Sequence, residues 1–468
     1  MAQAPVAAGL EAATYRKVAR RLLPILFVGY FVAYLDRVNV GFAKLQMAGD
    51  LALSDAVYGA GAGIFFLGYF LFEVPSNLLL RRIGARIWIA RIMITWGLIS
   101  AAFAFTGMIH WGPVAPLFGL NDAEFTFYFL RFMLGLAEAG FYPGVILYLT
   151  FWFPAARRAH IIALFMSAIA FSNIVGSPVS GAIMQFMDGL ADWRGWQWLF
   201  VVEGIPSVLM GLVVLAALPD GPHKARWLAD DERALVLQRL AEEEDGKAAR
   251  GTRHGVADLF RDVRVWLFAF AFFCLNAGFY ALSFWMPTII QEVGLAPDDY
   301  FGVGLLSMIP WSVIALVMIY WARHSDRTGE RTWHAVSGSL TACAGMLLLA
   351  FGGGHVALAL LALAMVGAGV LCWQTIYWSF PTSFLSGAAA AGGIALINAL
   401  GNLGGFFGPD LIGSIRDANG GDSTMAFVVL AGLAATNAVL TLVLSRMAGP
   451  GWQGQGALIP AGKAGVEA

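Results

Sequence analysis

The chain has 468 residues, of which 59% are hydrophobic and only 13% are charged; the net charge is −1 and the mean hydropathy is +0.71. Because a soluble domain usually carries about 25% charged residues, this composition excludes an ordinary soluble protein and indicates a membrane-embedded one. The balanced charge gives no reason to expect a nucleic-acid partner.

Apolar runs of about 20 residues, the length that a helix needs to cross a bilayer, recur twelve times along the chain. We expect no cleavable signal sequence, because the first run is itself long enough to span. The predicted membrane-spanning helices are 22–43, 57–80, 87–108, 125–150, 159–186, 197–218, 265–291, 300–322, 333–353, 355–380, 388–413 and 424–447. Pro143 and Pro409 predict kinks inside the fourth and eleventh spans.

The longest polar stretch divides the spans into two groups of six. The sequence therefore predicts a cytoplasmic N-terminal segment, a six-helix bundle, a cytoplasmic central loop, a second six-helix bundle and a flexible cytoplasmic tail. Their predicted boundaries are 1–21, 22–218, 219–264, 265–447 and 448–468.

Lysine and arginine are distributed unequally between the two sides of the predicted membrane. With the N-terminus in the cytoplasm, 23 of the 29 basic residues fall on the cytoplasmic side and three on the opposite side. Because basic residues concentrate in cytoplasmic loops, this bias predicts a multi-pass protein of the cell's inner (plasma) membrane with both termini in the cytoplasm.

A short pattern of basic residues around a glycine follows the second span and recurs after the eighth. The first copy contains Arg81, Arg82, Gly84 and Arg86. The second copy contains Asp326, Arg327, Gly329 and Arg331. This arrangement resembles the signature loop of the major facilitator superfamily, although Arg81 stands where that family usually has an acid. The resemblance implies an all-α membrane protein with twelve transmembrane helices in two pseudo-symmetric six-helix bundles that rock about a midplane site.

Five further segments, taken in order, resemble the anion:cation symporter branch of that superfamily. They are residues 34–39, 72–80, 131–144, 198–206 and 398–405. The basic residue at position 81 is also typical of this branch. The branch carries small organic anions, including tartrate, phthalate, hydroxyphenylacetate and sugar acids, and residues 40–47 are most similar to its tartrate-type members.

Seven charged residues lie inside the predicted spans of the first half of the chain, whereas the corresponding spans of the second half carry almost none: Asp36, Arg37, Glu73, Arg91, Arg131, Glu138 and Glu203. A charge in the bilayer core costs at least roughly 2.5–3.5 kcal/mol, so such residues face a polar cavity or a partner. This asymmetry indicates that substrate binding and ion coupling are concentrated in the first half.

Four of these residues form the predicted core of the site. We interpret Arg37 as the substrate clamp, because a guanidinium offers a carboxylate two parallel hydrogen bonds and stays charged. Asp36 and Glu138 are the predicted proton carriers, with Arg131 holding them. From depth along their helices we expect Asp36 to pair with Arg131, and Glu138 to lie two turns from Arg131 on one helix face. The alternative is a static ion-pair network that joins the first and fourth spans.

The other three charges favour structural roles. Glu73 precedes Pro75 near the predicted cytoplasmic end of its span, where it can pair with the following loop. Arg91 lies close enough to that interface for its side chain to snorkel. Glu203 resembles a family position, but we interpret it as a brace between helices.

The second half supplies amides and aromatic rings instead of charges. By resemblance, Asn398 faces the substrate, and Asn276, Tyr377 and Trp378 are further substrate-binding candidates, together with Tyr34 of the first span. Because Tyr377 and Trp378 are adjacent, they cannot both face one cavity. Either is also explained by packing.

These observations predict a secondary active transporter, not an enzyme, that imports a small organic anion, either tartrate-like or aromatic, by proton symport with alternating access. The alternative is a sodium-coupled or uncoupled facilitator or exchanger of organic acids. The histidines and cysteines show no metal-ligand spacing and there is no phosphate-binding GxxxxGK[ST] loop, so we expect no metal and no cofactor. The expected partners are the organic acid, protons and the lipid bilayer, and the expected state is a monomer.

Overall fold

The structure is a computed structural model. It describes residues 3–249, 261–378, 380–381 and 387–447, with the side chains at 3–8, 156, 159, 244–249 and 387–391 left out. The predicted tail at 448–468 and residues 250–260 of the predicted central loop lie outside the described residues. Across the described ranges all regular secondary structure is helical, which confirms the predicted all-α fold.

Sixteen α-helices follow one another through the described residues, joined by loops and short 3-10 turns. The first nine are α1 (Gln3–Asp50), α2 (Asp55–Ile83), α3 (Ala85–Ala102), α4 (Val114–Leu117), α5 (Asp122–Glu138), α6 (Phe141–Thr150), α7 (Ala155–Phe186), α8 (Gly195–Ala217) and α9 (Asp230–Ala249). The remaining seven are α10 (Val263–Glu292), α11 (Tyr300–Thr328), α12 (Thr332–Phe351), α13 (Val356–Tyr377), α14 (Gly387–Asn402), α15 (Gly404–Ala418) and α16 (Thr424–Met447).

Within the described ranges, eleven helical segments are long and apolar enough to cross a membrane, and they coincide with eleven of the twelve predicted spans. The predicted span at 388–413 is present as two shorter helices, α14 and α15, which are interrupted at Leu403. The kink was expected at Pro409, but the interruption lies six residues earlier. Pro409 itself is accommodated inside α15.

The fourth predicted span is also broken, where α5 ends and α6 begins. Gly140 adopts a left-handed conformation with φ +89° and ψ −1°, and Ala139 is extended with ψ 128°. Pro143 lies in the first turn of α6, where its missing N–H costs least, and it cannot donate to the carbonyl of Ala139 four residues earlier. The break leaves Glu138 as the last residue of α5.

The segment predicted as the central loop contains a helix, α9. Its first turn carries Asp230, Asp231 and Glu232, and acidic residues there complement the positive end of the helix dipole. Glu232 pairs with Lys17 of α1 at 2.6 Å. The hydrogen bond from Lys17 and one from the backbone N–H of Ala229 hold the pKa of Glu232 below its ordinary value. Capping and ion pairing thus stabilise α9, which hydrophobic periodicity does not predict.

The described chain forms two compact units. The first comprises Met1–Gly251, Ser283–Ile309 and Gly405–Asp422, and the second comprises Thr252–Leu282, Pro310–Gly404 and Ser423–Ala468. In the first unit, α2 packs backbone against backbone on α15: a Cβ added to Gly59 would stand 2.5 Å from the carbonyl oxygen of Pro409. Ends of helices from the second half of the sequence thus pack with the first half.

The second unit is built on α12, which packs against α13 and α16. Gly338 and Gly369 let α12 and α13 approach at their backbones, since a Cβ on Gly338 would stand 2.8 Å from the Gly369 carbonyl oxygen. Asn437 of α16 accepts from the Ser339 hydroxyl at 2.6 Å and donates to the carbonyl of Ala271 at 2.6 Å. A buried amide therefore joins three helices of this unit.

We predict that Gly140→Ala lowers the thermal unfolding midpoint of the purified protein and disturbs the position of Glu138. An alanine would keep a positive φ at a cost of about 1 kcal/mol or more, and its Cβ would collide with the Ser76 side chain. Gly144→Ala is the control, because its Cβ would meet only the movable end of Leu80. Equal midpoints for the two variants would contradict the proposed need for this break.

Candidate functional site

The centre of the first unit is an ion pair between two buried side chains, Arg37 of α1 and Glu138 of α5. Their exposed fractions are 7% and 3%, and an Arg37 Nη2 hydrogen donates to Glu138 Oε1. Glu138 reaches Arg37 because α5 ends at this residue and the chain turns at Gly140. The structure therefore brings together two of the residues that the sequence predicted.

Aromatic rings surround the guanidinium of Arg37. Its Cζ lies 5.0 Å from the ring centroid of Tyr34, 5.3 Å from that of Phe65 and 5.8 Å from that of Tyr69. These distances are within the range in which a cation is attracted to an aromatic face. Tyr34, a predicted substrate-binding candidate, thus lies beside Arg37, together with Phe65 and Tyr69, which the sequence did not single out.

A second aromatic group continues from Tyr34 along α1. Tyr30 contacts Tyr34 edge-on at 5.3 Å, stacks on Phe165 at 4.5 Å and lies 5.9 Å from Tyr142. The sequence spacing could have indicated this group. Tyr30, Tyr34 and Arg37 are four and three residues apart and therefore share one helix face. Tyrosines combine flat apolar surface with hydroxyl groups, which suits a small organic acid.

Arg131 lies beside this pair but is bound differently. It is 1% exposed, and its Nε and Nη2 donate to the carbonyls of Gly61 and Ala62 at 3.3 and 2.9 Å. Its Cζ lies 5.2 Å from the ring of Phe65, the same ring that Arg37 contacts. Among the described residues, no carboxylate forms an ion pair with Arg131.

The charges of this group do not cancel. The group contains two buried guanidiniums, those of Arg37 and Arg131, and one buried carboxylate, that of Glu138, which pairs with Arg37. A buried cation without an anionic partner is costly, so an anion that enters the group is stabilised. Protonation of Glu138 would release Arg37 and raise the excess positive charge further.

Asp36 faces away from this group and does not pair with Arg131 as expected. Its carboxylate accepts hydrogen bonds from Trp96 at 2.9 Å, from Ser100 at 2.7 Å and from Ser207. The reason is geometric, since adjacent residues on a helix point about 100° apart and Arg37 already faces Glu138. Asp36 thereby joins α1 to α3 and α8 and fixes the rotation of α1 that presents Arg37.

The remaining membrane charges lie outside the Arg37–Glu138 group. Glu203 of α8 is 2% exposed and accepts from the Ser180 hydroxyl of α7 at 2.6 Å. The guanidinium of Arg91 stacks 4.0 Å above the ring of Trp88 in its own helix. Glu73 is buried within α2, well before its last residue, Ile83. The hydrogen bond of Glu203 joins α7 to α8, as a brace between helices would.

The four predicted residues of the second half lie in the second unit. Asn276 donates to the Gly401 carbonyl and to Asn402 Oδ1, both at 3.3 Å. The Tyr377 hydroxyl donates to the Phe268 carbonyl at 2.7 Å, and its ring is 1% exposed. Trp378 contacts the ring of Phe272 at 5.2 Å and is half-buried, as is Asn398 on α14. Tyr377 is thus engaged in packing, and Trp378 is the more accessible of the two adjacent rings.

A second charged group was not predicted. Asp55 at the start of α2 binds Lys44 of α1 and Arg416 of α15, both at 2.8 Å, and Arg416 also binds Glu292 of α10 at 2.6 Å. The ring of Trp285 lies 4.0 Å from Lys44 Nζ and 5.2 Å from Arg416 Cζ. We call Lys44, Asp55, Glu292 and Arg416 the four-charge network. It joins four helices at the end of the first unit where α1 terminates.

Hydrogen bonds to backbone carbonyls support the four-charge network. The Tyr58 hydroxyl donates to the Phe284 carbonyl at 2.8 Å, and the Trp285 indole donates to the Pro409 carbonyl at 3.2 Å. In sequence, Lys44 and Arg416 are two isolated basic residues, and Asp55, which binds both, lies 361 residues from Arg416.

Comparison with known proteins identifies the family. The family model described as Major Facilitator Superfamily matches residues 26–409. The chain is 49% identical over 438 residues to a protein of Agrobacterium vitis proposed to transport tartrate, covering 93% of this chain and 92% of that one. The chain therefore belongs to the major facilitator superfamily, as its motifs predicted, and it is a multi-pass membrane transporter and not an enzyme.

Two other comparisons agree. The inner membrane transport protein RhmT of Escherichia coli strain K12 is 37% identical over 401 residues, covering 85% of this chain and 88% of that protein. Among solved structures, the D-xylose-proton symporter superposes with a TM-score of 0.67 at 16% identity, covering 90% of this chain and 96% of that one. At that identity the likeness shows the shared fold alone.

We predict that Asp36→Asn lowers the free energy of unfolding by about 2–4 kcal/mol, because an amide cannot accept from all three donors and leaves a buried donor unmatched. Ser100→Ala removes a single donor and should cost about 1 kcal/mol. Thermal unfolding of the purified variants in one detergent measures both. An Asp36→Asn midpoint equal to that of the wild type would show that Asp36 does not anchor α1.

Proposed function

We propose that this protein is a secondary active transporter that imports a small organic anion together with protons by alternating access. The observation that carries the proposal is the buried Arg37–Glu138 ion pair beside Arg131, whose guanidinium has no carboxylate partner among the described residues. A substrate carboxylate and a proton can replace the two halves of that pair, which links binding of one to binding of the other.

Arg37 is the proposed clamp for the substrate carboxylate, with Arg131 supplying the excess positive charge. Tyr34 and the neighbouring tyrosines line this side of the site with flat rings and hydroxyls. From the second unit, the resemblance to organic-anion transporters supports Asn398, Asn276 and Trp378 as substrate contacts. Tyr377 would serve by holding its neighbours, since its hydroxyl is already used by the Phe268 carbonyl.

The substrate class follows from this chemistry. Guanidinium groups, amides and tyrosine hydroxyls favour a mono- or dicarboxylate that is hydroxylated or aromatic. The 49% identity to a relative proposed to transport tartrate supports a tartrate-like acid. Neutral sugars and amines lack the anionic group that the site would require.

Glu138 is the proposed proton carrier. When it is protonated, it gives up its ion pair, and Arg37 becomes free to accept the substrate. When the proton leaves on the cytoplasmic side, the pair re-forms and the anion is expelled. A monoanion that enters with one proton moves no net charge, and each further proton would add about 2.3 kcal/mol per 100 mV of membrane potential. Asp36 stays a second candidate carrier, which can load only after its three hydrogen bonds are disturbed.

Alternating access gives the four-charge network a role in this proposal. With both termini in the cytoplasm of the inner membrane, as the distribution of basic residues supports, the network lies at the outer end of the first unit. For substrate to enter from outside, Arg416 would have to leave Asp55, and Trp285 would have to leave the Pro409 carbonyl. We propose that the transporter acts as a monomer.

We predict that Arg37→Lys weakens binding of a tartrate-like dicarboxylate at least about tenfold, because lysine keeps the charge but loses the paired hydrogen bonds. Isothermal titration of the purified protein measures the dissociation constant. Arg91→Lys is the control, since it makes the same change to a membrane arginine that stacks within its own helix. If Arg37→Lys binds the acid as tightly as the wild type, Arg37 is structural.

We predict that Glu138→Gln abolishes accumulation driven by a pH gradient but keeps substrate exchange, because glutamine cannot carry the proton. Reconstituted liposomes allow both assays on one preparation. Glu203→Gln makes the same chemical change in another buried carboxyl and should keep both activities. Full accumulation by Glu138→Gln would remove that residue as the coupling group.

The same liposomes test the alternative mechanisms. Uptake that follows a sodium gradient and is indifferent to pH would contradict proton coupling and favour a sodium symporter. Equilibration without accumulation under either gradient would favour an uncoupled facilitator or exchanger.

A further inference from the structure

A groove runs along the surface of the first unit between α1 and α7. It has a volume of about 390 Å³ and an almost wholly apolar lining, formed mainly by Leu23, Phe27 and Leu164. Phe171 lies 6.1 Å from Phe27 along the same two helices. The groove is much larger than the ~150 Å³ apolar cavity that admits benzene, so it has room for part of an acyl chain.

The groove has a positively charged end. Arg20 belongs to its lining, is exposed, and forms no ion pair with any described residue. Arg16 and Arg21 are exposed within one turn of Arg20, and His160 is exposed one turn before Leu164 on α7. An apolar groove whose lining includes an arginine with no ion pair among the described residues matches an anionic phospholipid, in which an acyl chain and a phosphate are joined.

Pro24 leaves a backbone carbonyl without its helical hydrogen-bond donor at the same end of the groove. It lies inside α1, lines the groove and is exposed. Because proline has no N–H, the carbonyl of Arg20, four residues earlier, loses its regular helical donor. In a bilayer such a carbonyl needs another hydrogen-bond donor. Arg20 therefore offers both a cationic side chain and a backbone carbonyl acceptor at this end of the groove.

We propose that this groove is a binding site for a phospholipid with a glycerol-phosphate headgroup, such as phosphatidylglycerol. One acyl chain lies along Leu23, Phe27 and Leu164, the phosphate binds the Arg20 guanidinium, and a headgroup hydroxyl donates to the Arg20 carbonyl. The site is separate from the Arg37–Glu138 group and does not depend on which substrate is carried.

The test compares four lipids with identical acyl chains on the delipidated, detergent-purified protein: phosphatidylglycerol, phosphatidylmethanol, phosphatidylethanolamine and phosphatidylcholine. Phosphatidylmethanol has the same charge as phosphatidylglycerol but no headgroup hydroxyl. Native mass spectrometry gives the dissociation constants, and thermal unfolding gives an independent readout. We expect phosphatidylglycerol to bind about tenfold more tightly than phosphatidylcholine, with phosphatidylmethanol between them. Equal binding of all four lipids would overturn the proposal.

Three substitutions locate the site. Arg20→Ala should reduce phosphatidylglycerol to the affinity of phosphatidylcholine. Pro24→Ala restores the backbone donor and should reduce phosphatidylglycerol only to the affinity of phosphatidylmethanol. Arg82→Ala removes an exposed arginine outside the groove and should change nothing. If Arg82→Ala weakens binding as much as Arg20→Ala, general surface charge explains the effect and the proposed site is wrong.

Discussion

The structure depends on the ion pair between Arg37 and Glu138. Two opposite charges buried in a membrane protein are stable only when they are paired and well placed, because neither can be solvated where it lies. An anion that competes for Arg37 must therefore arrive together with something that neutralises Glu138. A proton is the smallest such partner. In the proposed mechanism, the substrate carboxylate pairs with Arg37 while a proton neutralises Glu138.

Several unrelated features keep that pair in place. Asp36 ties α1 to α3 and α8, which sets the rotation of α1 and thereby the direction of Arg37. The left-handed turn at Gly140 ends α5 and leaves Glu138 at its last position. Arg131 binds the carbonyls of α2 and holds α5 against it. Taken singly, the Asp36 hydrogen bonds, the Gly140 turn and the Arg131 hydrogen bonds are ordinary packing contacts. Together they position the side chains of Arg37 and Glu138.

Much of this arrangement could be predicted from the sequence, because apolar length, loop charge and motif order are local properties. Eleven of the twelve predicted spans and the family are of this kind. The partner of Asp36 was predicted wrongly, since depth along a helix was considered without its rotation. The network around Asp55 and Arg416 could not be found, because its members are up to 361 residues apart. The helix at Asp230–Ala249 was missed because its stability comes from charges, not apolar periodicity.

The central claim is that substrate and proton bind as a linked pair, and proton uptake during binding tests it most directly. Purified protein in weakly buffered solution with a pH indicator is mixed with a tartrate-like acid that is already fully ionised. Binding should withdraw protons from solution, and the apparent affinity should fall as the pH is raised. The Glu138→Gln protein should bind the acid with no proton uptake. Substrate binding by the wild-type protein that takes up no protons and is independent of pH would contradict the account.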